Sequence, residues 1–319
     1  MKKVVVTVPG KVHLMGEHAV VYGKPALLAA INLRLSVTIE EQLKKSSTPE
    51  KIIIMSTEPT EHARYAVDFL LDQFKVKDPT AFKIIIDSQI PAGFHLGSSA
   101  AVAVGLSGAM MYFFKKLWNP IRINELAYEI EKKQHGNPSG GDNTTVTVGG
   151  FVWFRKELEF LKSIWQLPFK PHESLNHFFL INTGRPKETT GEMVAMVKEH
   201  IQKEPEQMQK LLNLNEIQVK RVTVALKEGN EAELLDAMKV GERTLEGMGV
   251  VSQKAIPLIR KIEEAGGAAK ILGGGGKEEG VGFLLCYHRN PTQVEEICKS
   301  YGFTIQEIGL GEEGVRLEK

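Results

Sequence analysis

Leu33, Leu35, Val37 and Ile39 alternate with Arg34, Ser36, Thr38 and Glu40. This period of two predicts a strand with one buried face and one wet face. Residues 3–8 are a mostly apolar run that reads as a buried strand ended by Pro9-Gly10. Short strands are expected at residues 52–55 and 82–88, a polar loop holding Pro49 at 44–50, and a helix over 62–74. A glycine-containing loop at 89–96 leads into a long helix, 98–117, rich in small residues. Ile123, Leu126, Ala127 and Ile130 recur at helical spacing, and that helix stops at His135-Gly136-Asn137-Pro138. Residues 144–155 read as a hairpin turning at Gly149-Gly150.

The second half has a different pattern: a strand at 177–182, helical sequence over 187–265, paired strands at 268–272 and 282–287, a helix at 291–301 and a strand at 303–308. That order is a split βαβ, ferredoxin-like domain with extra helices inserted after its first strand. Pro168 and Pro171 fall close together, so a boundary is expected near residue 170. The expected fold class is α+β in two domains: a mixed α/β domain over 1–170, and a ferredoxin-like domain with inserted helices over 171–319.

Composition narrows the functions open to such a chain. Forty Lys and Arg against 39 Asp and Glu leave a net charge of +1, which supplies no general attraction for a polyanion, so no nucleic-acid partner is expected. The longest apolar stretch, 100–114, is interrupted by Gly105, Ser107 and Gly108 and is too short to span a bilayer; no membrane partner is expected. The two cysteines, Cys286 and Cys298, lack the spacing of a metal or redox motif and fit a reducing, cytoplasmic compartment.

Three segments are richer in glycine than folding requires: 9–18, 91–101 and 273–276. None is a Walker A sequence or a GxGxxG fingerprint, which removes the standard nucleotide folds. The middle segment runs from a strand through Gly93-Phe94-His95-Leu96-Gly97 into a helix opening with Ser98-Ser99. Unpaired N–H groups at such a helix start can hold phosphate oxygens. The alternative is a serine serving only as a helix cap.

Glu131 lies about 40° from Ala127 on the helical wheel, a carboxylate turned toward the interior unless it is an edge residue paired to a lysine. Asp142 follows the glycine-rich loop 135–141, where a turn-forming aspartate is the competing reading. Lys11, directly after Pro9-Gly10, is oddly placed for a solvated lysine. It could lower the pKa of an interior aspartate or neutralise a phosphoryl group. Glu17 and His18 could bind a polar substrate, although a histidine taken alone is more often structural. His172, His177, His200 and His288 show no metal-ligand spacing.

Pro9-Gly10-Lys11-Val12-His13-Leu14-Met15-Gly16-Glu17-His18-Ala19-Val20-Val21-Tyr22-Gly23, the Gly97-Ser98-Ser99-Ala100-Ala101 loop, residues 135–143 and the glycines at 273–276 resemble, in order and spacing, the GHMP small-molecule kinases. Gly-Glu-His-Ala-Val-Val-Tyr-Gly and His-Gly-Asn-Pro-Ser-Gly-x-Asp-Asn resemble the mevalonate kinases among them. The resemblance covers nearly the whole chain. It implies ATP-dependent phosphorylation of mevalonate to 5-phosphomevalonate in isoprenoid synthesis, with Mg²⁺. It implies a phosphate loop of Gly93, Phe94, His95, Leu96, Gly97, Ser98 and Ser99, and a metal held by Ser99 and Glu131. Asp142 would take the proton of the attacking hydroxyl beside Lys11, and Glu17, His18 and Thr189 would approach mevalonate. Mevalonate is then the partner, and a homodimer is an assembly the sequence leaves open.

The chain departs from the family at His95, where a glycine is usual, and at four successive glycines followed by Lys277-Glu278-Glu279. A histidine at 95 needs an ordinary backbone and room for its ring, and an outward ring is the expectation. Competing readings are another GHMP kinase, acting on phosphomevalonate or a sugar, and a catalytically silent ligand sensor. Retention of Lys11, Glu131 and Asp142 argues against silence.

Overall fold

The structure, a computed structural model, describes residues 2–42, 51–57, 60–136, 138–158 and 160–318; the loop expected at 44–50 lies outside them. The first strand, β1 (Lys3–Met15), does not stop at Pro9-Gly10 but runs through both. Its neighbour β11 (Arg316–Glu318) pairs with it at Val5, Val6 and Thr7, so Pro9 lies beyond that register and its missing N–H breaks no bond to β11. Gly10 lies at a close approach: a Cβ there would stand 3.1 Å from the Leu96 carbonyl oxygen. The alternating run is part of β2 (Pro25–Glu41), with Leu33, Leu35, Val37 and Ile39 all buried.

By contacts the chain divides into two units, one made of Met1–Lys11, Ala30–Gly150 and Glu312–Lys319, the other of Val12–Ala29 and Phe151–Gly311. This grouping differs from a single cut near residue 170, because both long N-terminal strands change unit along their length and the C-terminal residues return to pair with β1.

In the first unit the sheet order is β11-β1-β2-β4-β3, with β3 (Ile52–Ser56) parallel to β4 (Phe82–Ser88) and β4 antiparallel to β2. Helices α1 (Glu61–Gln73), α2 (Ser98–Lys115), α3 (Pro120–His135) and α4 (Gly141–Val148) complete it. The small residues of α2 have a purpose, since a Cβ on Gly105 would come 2.7 Å from Val37 Cγ2, and α2 is buried along nearly its whole length.

The hairpin expected at 144–155 is not formed: residues 141–148 are helix, and only β5 (Phe151–Lys156) is strand. The threonines of this segment are satisfied inside the helix. Thr145 donates to the Gly141 carbonyl at 2.8 Å and Thr147 to that of Asn143 at 2.7 Å. Asn143 Nδ2 ties α4 to α3 through Asn124 Oδ1 at 2.6 Å, so tertiary pairing overrides local strand propensity.

In the second unit β5 pairs with residues 25–29 of β2 and with β6 (Lys162–Leu167). A four-stranded antiparallel sheet has the order β10-β7-β9-β8, from β7 (Phe178–Asn182), β8 (Ala268–Ile271), β9 (Phe283–Tyr287) and β10 (Thr304–Ile308). Between β7 and β8 come α5 (Thr190–Lys203), α6 (Pro205–Glu228), α7 (Glu231–Gly247) and α8 (Ile256–Glu264), and α9 (Pro291–Ser300) joins β9 to β10. This is the expected ferredoxin-like order with its inserted helices. Its core packs Phe179, Ile181, Leu258, Ile259, Leu284 and Val294. Among the described residues no helix is long and apolar enough to cross a membrane.

Candidate active site

The loop between β4 and α2 is built on positive φ angles, +79° at Gly93, +61° at His95 and +82° at Gly97. Gly97 is the residue before α2, and a Cβ there would lie 2.8 Å from Lys11 Cγ, so the loop closes directly on that lysine. The Lys11 N–H donates to Leu96 O at 2.9 Å, fixing the loop to β1. The helical hydrogen bonds of α2 begin with Ala101 N–H to Gly97 O at 2.9 Å, and the N–H groups of a helix's first turn are suited to an anion. His95 corrects one expectation. Its backbone is left-handed, not ordinary, a conformation that costs a non-glycine residue about 1–2 kcal/mol.

Lys11 and Asp142 form an ion pair at 2.9 Å, with the lysine 3% and the aspartate 41% exposed. A buried cation thus supports a carboxylate that still reaches solvent. Asp142 owes its place to α4, where it is the second residue of the first turn, after Gly140 at φ +85°.

Glu131 on α3 is almost fully buried, as the helical wheel indicated, and its Oε2 accepts from the Ser99 hydroxyl at 2.9 Å. His62 on α1 completes this group, its Nε2 lying 3.4 Å from Glu131 Oε1. A hydroxyl beside an ionisable carboxylate is an oxygen donor set that suits Mg²⁺, which takes one or two protein ligands and draws the rest from phosphate and water. Among the described residues no cluster of three or more His, Cys, Asp or Glu side chains could hold a metal by itself.

In the second unit Glu17 and His18 lie just before a short 3-10 turn (Ala19–Tyr22). Gly16 has φ +106°, and a Cβ there would meet Ala26 Cα at 2.5 Å, so only glycine fits. Glu17 is ion-paired with Lys270 of β8, and both are essentially inaccessible. Lys270 Nζ also donates to Ile271 O at 2.6 Å and His13 O at 3.3 Å. Behind it, Glu242 on α7 is fully buried. Its Oε2 accepts from Ile271 N–H at 3.0 Å, while Oε1 has no hydrogen-bond partner. Burial pushes the Glu242 carboxyl up to about 8 despite the opposing charge of Lys270.

His18 Nε2 is 3.0 Å from Gly274 O, so that nitrogen carries the hydrogen, and burial lowers the pKa of the ring. Gly275 and Gly276 are demanded by packing: a Cβ on Gly275 would fall 2.0 Å from Val250 O, and one on Gly276 2.7 Å from Gly280 O. Thr189 is exposed and occupied with a helix cap, its hydroxyl exchanging hydrogen bonds with Glu192 at the head of α5.

A family model described as the GHMP kinases N terminal domain matches residues 61–150. The mevalonate kinase of Archaeoglobus fulgidus is 32% identical over 278 residues, covering 85% of this chain and 89% of that protein. The chain belongs to the mevalonate kinase family. Another of its relatives, the mevalonate kinase of Pyrococcus horikoshii, is 29% identical over 100% of this chain and 99% of its own. The crystal structure of L. major mevalonate kinase in complex with R-mevalonate shares the fold, with a TM-score of 0.81 at 21% identity over 98% of this chain and 97% of that one. The α+β architecture is accordingly the GHMP kinase fold.

Set beside the mevalonate kinase family motifs, the structure brings Lys11 to Asp142 and Ser99 to Glu131 in one unit, and His18 to the glycines at 273–276 in the other. Thr189 makes no hydrogen bond to Glu17 or His18. Sequence reasoning missed Lys270, His62 and Glu242. A lone lysine inside the apolar run Ala268-Ala269-Lys270-Ile271-Leu272 was the available signal for the first.

Proposed function

We propose that the protein is an ATP-dependent mevalonate kinase that makes 5-phosphomevalonate. The observation that carries this reading is the buried Lys11 bonded to the half-exposed Asp142, with the glycine loop packed on the same lysine.

Backbone N–H groups of residues 93–99 and the start of α2 cradle the ATP phosphates. Asp142 accepts the proton of the primary hydroxyl of mevalonate. That oxygen then bonds to the γ-phosphorus as the bond from γ-phosphorus to the bridging oxygen breaks, and ADP leaves. Lys11 pairs with Asp142 in the ground state and offsets negative charge on the transferring group. Ser99 and Glu131 hold Mg²⁺, which when bound neutralises phosphate charge. Glu17, His18 and Thr189 contact mevalonate. The ion pair with buried Lys270 fixes Glu17 in direction, so that Glu17 Oε2, which has no hydrogen-bond partner of its own among the described residues, can accept from a substrate hydroxyl. Buried free thiols at Cys286 and Cys298 suit a reducing cytoplasm.

Coupled ADP release across mevalonate, phosphomevalonate, homoserine and galactose tests the reading. Turnover with mevalonate at the highest kcat/KM is expected. A preference for phosphomevalonate or a sugar would move the chain to another GHMP activity, and ATP binding without ADP release on any alcohol would make it a sensor.

A further inference from the structure

His62 has no part in the scheme above, yet its surroundings are not those of a packing residue. It is the second residue of α1, its side chain is 16% exposed, and its Nε2 lies 3.4 Å from Glu131 Oε1 and 3.4 Å from the Ser99 carbonyl oxygen. Both neighbours are acceptors, so Nε2 must carry hydrogen and donate; the tautomer follows from the partners. The other carboxylate oxygen, Glu131 Oε2, takes the hydrogen of the Ser99 hydroxyl at 2.9 Å. Glu131 is therefore hydrogen-bonded at Oε2 by a group of one helix and approached at Oε1, at ion-pair distance, by the imidazole of another. The same imidazole N–H is referenced to the backbone of the residue that supplies the hydroxyl. Packing alone would be served by an aliphatic side chain.

We infer that His62 is a positioning residue for the Mg²⁺ site: by holding Glu131 Oε1 against the Ser99 backbone it presents Oε2, the oxygen shared with the Ser99 hydroxyl, as the ligand atom. The inference rests on the assignment of Ser99 and Glu131 as the residues that hold the metal. A carboxylate free to rotate loses orientation and leaves one buried oxygen without the imidazole beside it. Removing such an outer partner typically weakens a metal site 10- to 100-fold. Glutamine can place an amide N–H near the position of the imidazole Nε2–H, whereas leucine fills the volume and donates nothing.

The test is calorimetric. Binding of the non-hydrolysable analogue β,γ-imido-ATP to the purified protein is titrated with Mg²⁺, without mevalonate, for the wild type, His62→Leu, His62→Gln and Glu131→Gln. His62→Leu is expected to raise the Mg²⁺ half-saturation by about 10- to 100-fold, with metal-free analogue binding unchanged, and His62→Gln to recover it to within about threefold of the wild type. In turnover assays excess Mg²⁺ then restores kcat of His62→Leu, and KM for mevalonate does not move. If Glu131→Gln shifts the metal midpoint and His62→Leu leaves it within about twofold, the inference is overturned while the metal assignment stands. Equal losses in the leucine and glutamine variants overturn it as well, because the donor would then be irrelevant. A Glu131→Gln protein with an unmoved midpoint removes the metal assignment itself, and the inference with it.

Discussion

Replacing Glu242 by glutamine should change how stability depends on pH. In the folded protein the carboxyl keeps its proton up to about pH 8, because burial disfavours the charge; the ordinary value it regains on unfolding is 4.5. Between those values the native state binds one proton more than the unfolded chain. Each unit of rising pH therefore costs the native state about 1.4 kcal/mol, and the cost levels off above about pH 8. By pH 7 it has reached about 3 kcal/mol. Glutamine carries no such proton, keeps an oxygen to accept from the Ile271 N–H, and places an amide nitrogen where Oε1 has no partner. That unpaired nitrogen stands where the protonated carboxyl already leaves an unpaired hydroxyl, so below about pH 8 the two side chains carry a similar penalty there. Urea unfolding from pH 5 to 9 checks the balance, read by tryptophan fluorescence, since Trp153 and Trp165 lie in the same unit as Glu242. The variant should gain on the wild type by about 1.4 kcal/mol per unit from pH 5 and run parallel to it above pH 8. Curves parallel across the whole range would refute the reasoning, for Glu242 would then be ionised in the folded protein throughout.

Asp142→Asn should lower kcat at least about 10²-fold with ATP affinity retained, and near-normal turnover in a folded variant would remove the base assignment. Lys270→Met leaves Glu17 buried without its cation; an unfolding free energy lower by about 3–5 kcal/mol and a raised KM for mevalonate are expected, and denaturant titration with steady-state kinetics reads both. His95→Gly relieves a left-handed backbone, so it should gain up to about 1 kcal/mol of stability while KM for ATP changes less than about threefold. A tenfold rise in that KM, growing toward pH 6, would make the ring a phosphate ligand.

Local periodicity carried the elements whose burial is decided nearby. The alternation from Leu33 to Glu40 and the 3.6-residue spacing from Ile123 to Ile130 both found their strand and helix. The hairpin expected at 144–155 rested on the local Gly149-Gly150 turn, whereas the bonds that tie α4 in place as a helix reach to Asn124 on α3. The strand β11 is too short to carry a pattern at all. Among site residues, Glu131 was legible from a helical wheel. The same wheel applied to α7 singles out Glu242, four residues after Met238 and three before Leu245, both buried. His62 had no such signal, since its two partners lie 37 residues and more away in sequence.

The pairing of β11 with β1 also governs how the protein can be made. Thr7 donates to Glu318 Oε1 at 2.6 Å across 311 residues of chain, and Arg34 donates to the Gly314 carbonyl at 2.9 Å. At about 5–20 residues per second, the ribosome leaves that flank of β1 without its neighbour for roughly 15–60 s after the strand has emerged. Throughout that interval it is a row of open backbone donors and acceptors, able to pair with another nascent chain. Removing residues 316–318 would make that brief hazard of synthesis permanent in the finished molecule.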